Sequence, residues 1–170
     1  PYTGCGIFPS ALGIDKSLQK TVFEQAGLKP LPAHVITRQS WLTPSQPKKH
    51  FERLRSYFDF PLVIKSASQG SSIGVHVLER ADFETFQQLV DQSFFRWHLS
   101  TDQWLAWSEE DRVAYVRDLV DLQDGLGTPV VVNDQTCYHP EAVLSEIRDQ
   151  CAQPAPPEQL ILSGFQTEHT

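Results

Sequence analysis

The sequence contains no methionine and only three cysteines in 170 residues, Cys5, Cys137 and Cys151. An odd number of cysteines without C-x-x-C spacing does not make a disulfide framework and suits reduced thiols. Cys137 and His139 form a lone C-x-H, whereas zinc needs about four ligands at workable spacings, so ordinary packing is the favoured reading of that pair. The missing methionine, with Pro1 in first place, reads as an internal piece of a longer protein. Basic residues are also scarce. Fourteen Lys and Arg stand against 21 Asp and Glu, for a net charge of -7, which argues against nucleic acid as the main partner because backbone-phosphate binding comes with a basic face. No apolar run approaches the ~20 residues needed to span a bilayer, and nothing at the N-terminus has the order of a signal peptide. These absences lead us to expect a soluble, cytoplasmic protein with no membrane partner. At 19.3 kDa the chain suffices for one ordinary domain, or for a small domain carrying an insertion.

The most informative segment that is present runs from Phe60 to Val75, with Phe60-Pro61-Leu62-Val63-Ile64-Lys65 leading into Ser66-Ala67-Ser68-Gln69-Gly70-Ser71-Ser72-Ile73-Gly74-Val75. Apolar residues around Lys65 predict a strand held in a core, which would fix the ammonium in place. The small residues that follow leave room for backbone N–H groups and hydroxyls to approach an anion closely. One point charge followed by several short donors makes a phosphate cradle. Locally, however, Gly70-Ser71-Ser72 is equally a plain hairpin turn and Lys65 an ordinary edge-strand lysine, and such turns are common.

Along the rest of the chain, Ile14, Leu18, Val22 and Ala26 recur every fourth residue and predict a helix over about 15–26, ended by Gly27. A strand is expected over 33–37 after the Pro30 and Pro32 breaks, and a short basic helix over 47–57. Asp82 caps a predicted helix to about 95, with Phe83, Phe86, Leu89 and Val90 inward. From Trp97 the pattern changes to an aromatic-rich stretch containing Trp104 and Trp107, without a simple period. Ser108-Glu109-Glu110-Asp111 resembles a capping box opening a helix to about 123. A strand over 129–132, a turn at Asn133-Asp134, a helix from Pro140 to about 151 and a strand over 159–165 complete the reading. His76, alternating on a strand, reads as a surface or packed histidine.

Taken in order, Pro1-Tyr2-Thr3-Gly4, Asp15-Lys16, the Phe60–Lys65 strand and Gly70-Ser71-Ser72-Ile73-Gly74 resemble the D-alanine–D-alanine ligases of the ATP-grasp superfamily. The resemblance covers about residues 1–92 and rests on the combination, since a lone Gly-Ser-Ser is weak. It implies an α+β fold: an ATP-grasp central lobe, an antiparallel sheet with helices on one side, over 1–96 with its N-terminal linker helix. A mainly helical, aromatic-rich insertion would occupy 97–158, and a strand over 159–170 would return to the lobe. The aromatics of the insertion either fill a small core or form a docking surface.

The resemblance also implies roles. Lys16 and Lys65 would contact ATP phosphates, Ser71 would be catalytic beside the substrate amino acid, and Gln69, Gly70, Ser71 and Ser72 would supply loop contacts. The implied reaction joins two D-alanines for the peptidoglycan precursor through an acyl phosphate, using ATP and Mg²⁺. The magnesium ligands and the first D-alanine site would come from N- and C-terminal domains of the same protein outside this chain, so the chain alone would be inactive. A homodimer of the full-length protein is compatible with this reading. Two departures stand out. Ser66 replaces the proline usual after the strand lysine, and no hinge glutamate is identifiable beyond the weak candidate Glu168. A ligase of another carboxylate–amine or carboxylate–hydroxyl pair, and a non-catalytic interaction module on the same lobe, remain as alternatives.

Overall fold

The computed structural model describes residues 3–70, 72–122 and 125–164, and divides into two compact units, Pro1–Phe94 and Phe95–Thr170. In the first unit, α1 (Ile7–Ile14) and α2 (Lys16–Gln25) are joined at Asp15. The Asp15 carboxylate caps α2 by accepting from the Ser17 and Leu18 amides at 2.8 and 3.0 Å, which satisfies amides that lack a partner at a helix start. Gly27, with φ of 76°, ends the helix as expected, and the Leu28 amide closes back on the Phe23 carbonyl at 2.8 Å. No residue of α1 or α2 is buried. The periodic apolar face is therefore real but uncovered among the described residues, with Leu18 51% exposed.

The strand expected over 33–37 does not form. Ile36 packs into the core while Val35 stays exposed, and Thr37 Oγ1 accepts from the Ser40 amide at 3.2 Å, which makes it the N-cap of α3 (Arg38–Leu42). A side-chain acceptor at that point offers the backbone a helix start in place of a ladder. Helix α4 (Gln46–Tyr57), strands β1 (Leu62–Lys65) and β2 (Val75–Leu78), and helix α5 (Phe83–Ser93) follow close to expectation. β1 and β2 are antiparallel, with Leu62 opposite Leu78, Val63 opposite Val77, Ile64 opposite His76 and Lys65 opposite Val75. The core of this unit gathers Trp41, Phe51, Leu78, Phe86 and Val90, and Phe86 meets Trp41 edge-on at 5.6 Å between centroids. The Trp41 Nε1–H donates to the buried Asp91 Oδ1 at 2.9 Å.

In the second unit helices predominate over residues 97–158, and the aperiodic aromatic stretch opens on a strand, β3 (Arg96–Ser100). After α6 (Thr101–Ala106) and α7 (Glu109–Leu119) come β4 (Val130–Val132) and β5 (Gln135–Cys137), then α8 (Pro140–Cys151) and β6 (Gln159–Gly164). The sheet order is β3-β6-β4-β5, every pair antiparallel. β6 therefore pairs with β3 and β4, and the expected strand at the end of the chain forms as part of this sheet. The reason is a pattern of alternate burial. Leu160 and Leu162 point into a core with Leu99, Val130, Val132, Val143 and Ile147, while Ile161 faces out. Ser108 and Asp111 form the predicted capping box on α7. Trp104, 1% exposed, is a core residue that stacks through Trp107 to Tyr115 at centroid distances of 6.1 and 5.0 Å. Burial pushes the Tyr115 hydroxyl up to about 12. These aromatics fill a core as the first of their two readings held. Both units are α+β with antiparallel sheets.

Candidate functional site

The two-stranded ladder has two unlike faces. Leu62, Ile64, His76 and Leu78 turn toward the helices, whereas Val63, Lys65, Val75 and Val77 turn outward. Val63 is 61% and Val77 50% exposed, so the strand expected to be held in a core is covered on one face only. Among the described residues nothing covers the other face of this two-stranded ladder, and the alternating period leaves three valines around one lysine in the open. Lys65 ends β1 on that apolar platform, opposite Val75.

On the covered face His76 is packed with its Nε2 lacking a partner. Desolvation lowers its pKa below the ordinary value, which keeps the ring neutral under the sheet and away from the outward face. This agrees with the packed reading of that histidine.

The loop after Lys65 is anchored from α2. The Lys16 amide donates to the Ala67 carbonyl at 2.9 Å. The Lys16 ammonium donates to the same carbonyl at 3.3 Å and also to the Gln69 carbonyl. Asp15 steadies this helix start by accepting from the Ser17 hydroxyl at 2.6 Å as well as from the two amides, and the Ser17 hydroxyl is the main cause that holds its carboxyl below the usual range. Further along, the Ile73 amide closes on the Gly70 carbonyl at 3.0 Å and the Val75 amide on the Ser72 carbonyl at 3.2 Å. Ser72 and Gly74 both have φ near the left-handed region, 63° and 65°. Only Gly74 adopts such a backbone without steric cost, so the turn holds Ser72 in a conformation serine rarely takes. The space around Gly70 is open, since a Cβ there would meet nothing within 4 Å.

The structure thus joins Lys16 to the loop carrying Gln69 and Gly70, with Lys65 at the loop's base and Ser72 at its far side. Ser71 and Glu168 lie outside the described residues, as do Pro1 and Tyr2. Cys137 is buried in β5, where desolvation is the main cause that pushes its thiol pKa up, and this fits the packing reading of the C-x-H pair. Among the described residues no group of three or more His, Cys, Asp or Glu could hold a metal ion, and no helix is long and apolar enough to cross a membrane. Sequence reasoning missed Asp15 as an organiser of this corner, although Asp15-Lys16-Ser17 carries the signal of an N-cap followed by short donors.

The outward face of β1 and β2 thus sets a lysine on a valine platform, followed by a loop of small residues. Residues 22–97 match the family model described as D-ala D-ala ligase C-terminus, so over this segment the chain is similar to the D-alanine–D-alanine ligases. Among curated proteins, it is similar to the D-alanine--D-alanine ligase of Ectopseudomonas mendocina, with 37% identity over 76% of this chain and 38% of the relative. It is also similar to the ligase of Chlorobium limicola, with 40% identity over 44% of this chain and 20% of the relative, and to that of Limosilactobacillus reuteri, with 28% identity over 81% and 35%. The chain therefore spans between a fifth and two fifths of the length of these relatives. No solved structure matches it. Lys65, Gln69, Gly70 and Ser72 fall inside the matched family segment, whereas Lys16 falls outside it and joins the site only through the fold.

Proposed function

We infer that this chain supplies the nucleotide-gripping lobe of an ATP-dependent D-alanine–D-alanine ligase that makes the peptidoglycan precursor dipeptide through an acyl phosphate. The observation that carries this reading is the outward face of β1 and β2, where Lys65 stands on an open valine platform at the foot of a loop that lies within the ligase-matched segment. An apolar platform suits the flat face of a nucleobase, and an ammonium at its edge suits a phosphate as a compact point charge.

In this reaction a carboxylate oxygen of one D-alanine attacks the γ-phosphorus of ATP, ADP leaves, and an acyl phosphate forms. The free amine of a second D-alanine then attacks the acyl carbon, loses a proton and displaces inorganic phosphate. Both steps gather negative charge on phosphate oxygens, where fixed cations and donors act most strongly; removing one well-placed donor commonly costs about 3 kcal/mol of barrier. Lys65 holds phosphate charge at the base of the loop, and Lys16 holds it from α2. Gln69, Gly70 and Ser72 offer loop contacts, and Ser71 is the proposed catalytic residue beside the substrate amino acid.

Phosphoryl transfer would also draw on magnesium, which when bound would neutralise charge developing on the phosphate. The described residues hold no fitting donor set, so no step is derived through the metal, and this reading assigns its ligands to other domains of the complete protein. On the same grounds the isolated chain would not ligate.

The test is phosphate release by the complete protein with ATP, D-alanine and a panel of other acceptors. Release that depends on D-alanine alone supports the reading. Release that requires a hydroxy acid moves the assignment to a carboxylate–hydroxyl ligase, and release indifferent to D-alanine overturns it.

A further inference from the structure

Lys16 makes a contact that phosphate binding does not call for. Its ammonium, on the first residue of α2, is spent on two backbone carbonyls of the loop, those of Ala67 and Gln69, more than fifty positions along the chain. Its own amide holds Ala67 a second time, at 2.9 Å. The two carbonyls are consequently not held alike. Ala67 is tied by both the backbone and the side chain of Lys16, whereas Gln69 is tied to Lys16 by the side chain alone. Beyond Gln69, a Cβ at Gly70 would meet no described atom within 4 Å, and Ser72 is held at a φ of 63°.

We propose that Lys16 is a positioning residue that latches this loop in the nucleotide-free protein and releases it to phosphate. The inference rests on the nucleotide reading of the site. A carbonyl offers an ammonium only a partial charge, and a phosphate oxygen offers nearly a full one, so an incoming phosphate outcompetes both carbonyls for the same side chain. When the ammonium leaves, the amide of Lys16 still holds Ala67, which becomes the hinge. Gln69 and Gly70 lose their tether and are free to fold toward the ligand. One side chain thus reports phosphate arrival to the loop, with no additional sensor. Asp15 belongs to the device, because its hydrogen bonds to Ser17 and Leu18 keep the first turn of α2, and hence the Lys16 amide, aimed at Ala67.

The latch is tested by amide hydrogen exchange in the complete protein, comparing wild type with Lys16→Gln and Lys16→Met. Without nucleotide, both variants should exchange peptides covering 68–70 about tenfold faster than wild type, the scale of losing a hydrogen bond to a charged group, while β1–β2 amides stay unchanged as a control for folding. With a non-hydrolysable ATP analogue at concentrations that saturate each protein, the difference should vanish, because the latch is then open in all three. Equal exchange without nucleotide overturns the latch. A difference that survives saturation also overturns it, since it would mark Lys16 as a fixed brace for the lobe. Calorimetry with the same analogue on wild type is the separate check: no binding removes the nucleotide reading and the release step, while the nucleotide-free comparison still decides whether Lys16 tethers the loop.

Discussion

The Nε2 of His34 and the Nδ1 of His50 lie 2.9 Å apart, with the two rings tilted at 51°. This pair ties the irregular segment before α3 to helix α4, and His50 Nε2 continues to the Ser40 hydroxyl at 3.2 Å. Such a bond needs one ring nitrogen to donate and the other to accept, so at least one imidazole must be neutral. Desolvation is the main cause that lowers both pKa values below 6.5. For His34 the neighbouring His50 and Arg53 add to it, and for His50 Arg53 does. Each ring therefore binds its proton less readily folded than unfolded. The stability this contributes is present above the unfolded value and is lost as pH falls through it toward the folded value. We expect the denaturation midpoint of the first unit to drop between about pH 7.5 and about pH 5.5. In His34→Gln the drop should shrink, as measured by urea titration followed by fluorescence at both pH values.

Lys65→Ala in the complete protein should lower D-alanine-dependent phosphate release by at least about a hundredfold, the scale of losing one fixed charge contact in the transition state. The fold should be intact, because the Lys65 side chain belongs to the exposed face of the ladder. Near-wild-type release with an unchanged circular dichroism spectrum would remove Lys65 from the site.

Trp41→Phe keeps a ring against Phe86 but deletes the donor to Asp91, a carboxylate only 5% exposed. Leaving a buried acceptor short of a partner costs about 1–3 kcal/mol. The unfolding free energy of the first unit, read from its urea transition, should fall by that amount, and Asp91→Asn in the same background should recover part of it.

Removing residues 97–157 behind a short linker would separate β6 from both of its neighbours, β3 and β4. It should leave an exposed apolar strand carrying Leu160 and Leu162, which is an aggregation hazard. A chain ending at Phe94 retains every buried apolar residue of the first core. We expect that shorter chain to stay monomeric with cooperative unfolding, while the 97–157 deletion aggregates in size-exclusion chromatography. The opposite result would mean that the strand over 159–164 supports the first unit after all.

Within the second core, Trp104→Ala should cost about 3–5 kcal/mol, because the side chain is fully enclosed and also carries the Arg112 guanidinium over its ring at 5.4 Å. Differential scanning calorimetry should show one transition shifted strongly and the other little.

Much of this was readable along the chain because it depends on neighbours in sequence. Asp82 as a cap, the Ser108–Asp111 box, Gly27 as a helix stop and Pro140 at a helix start are interactions closed within a few residues. The order of motifs around Lys65 and Gly70 was likewise enough to point to the ligase family, since it needs no knowledge of what packs on what. What only the tertiary structure decided is which faces are covered. Two strands of similar apolar content, β1 and β6, read alike in sequence, yet β6 is enclosed between two neighbours and β1 has a single partner and an open face. Backbone pairing between residues far apart carries no local signature, so the pairing of 159–164 with β3 and β4 was invisible. The same holds for Lys16, whose place at the loop comes from an ammonium reaching carbonyls fifty-one and fifty-three residues away.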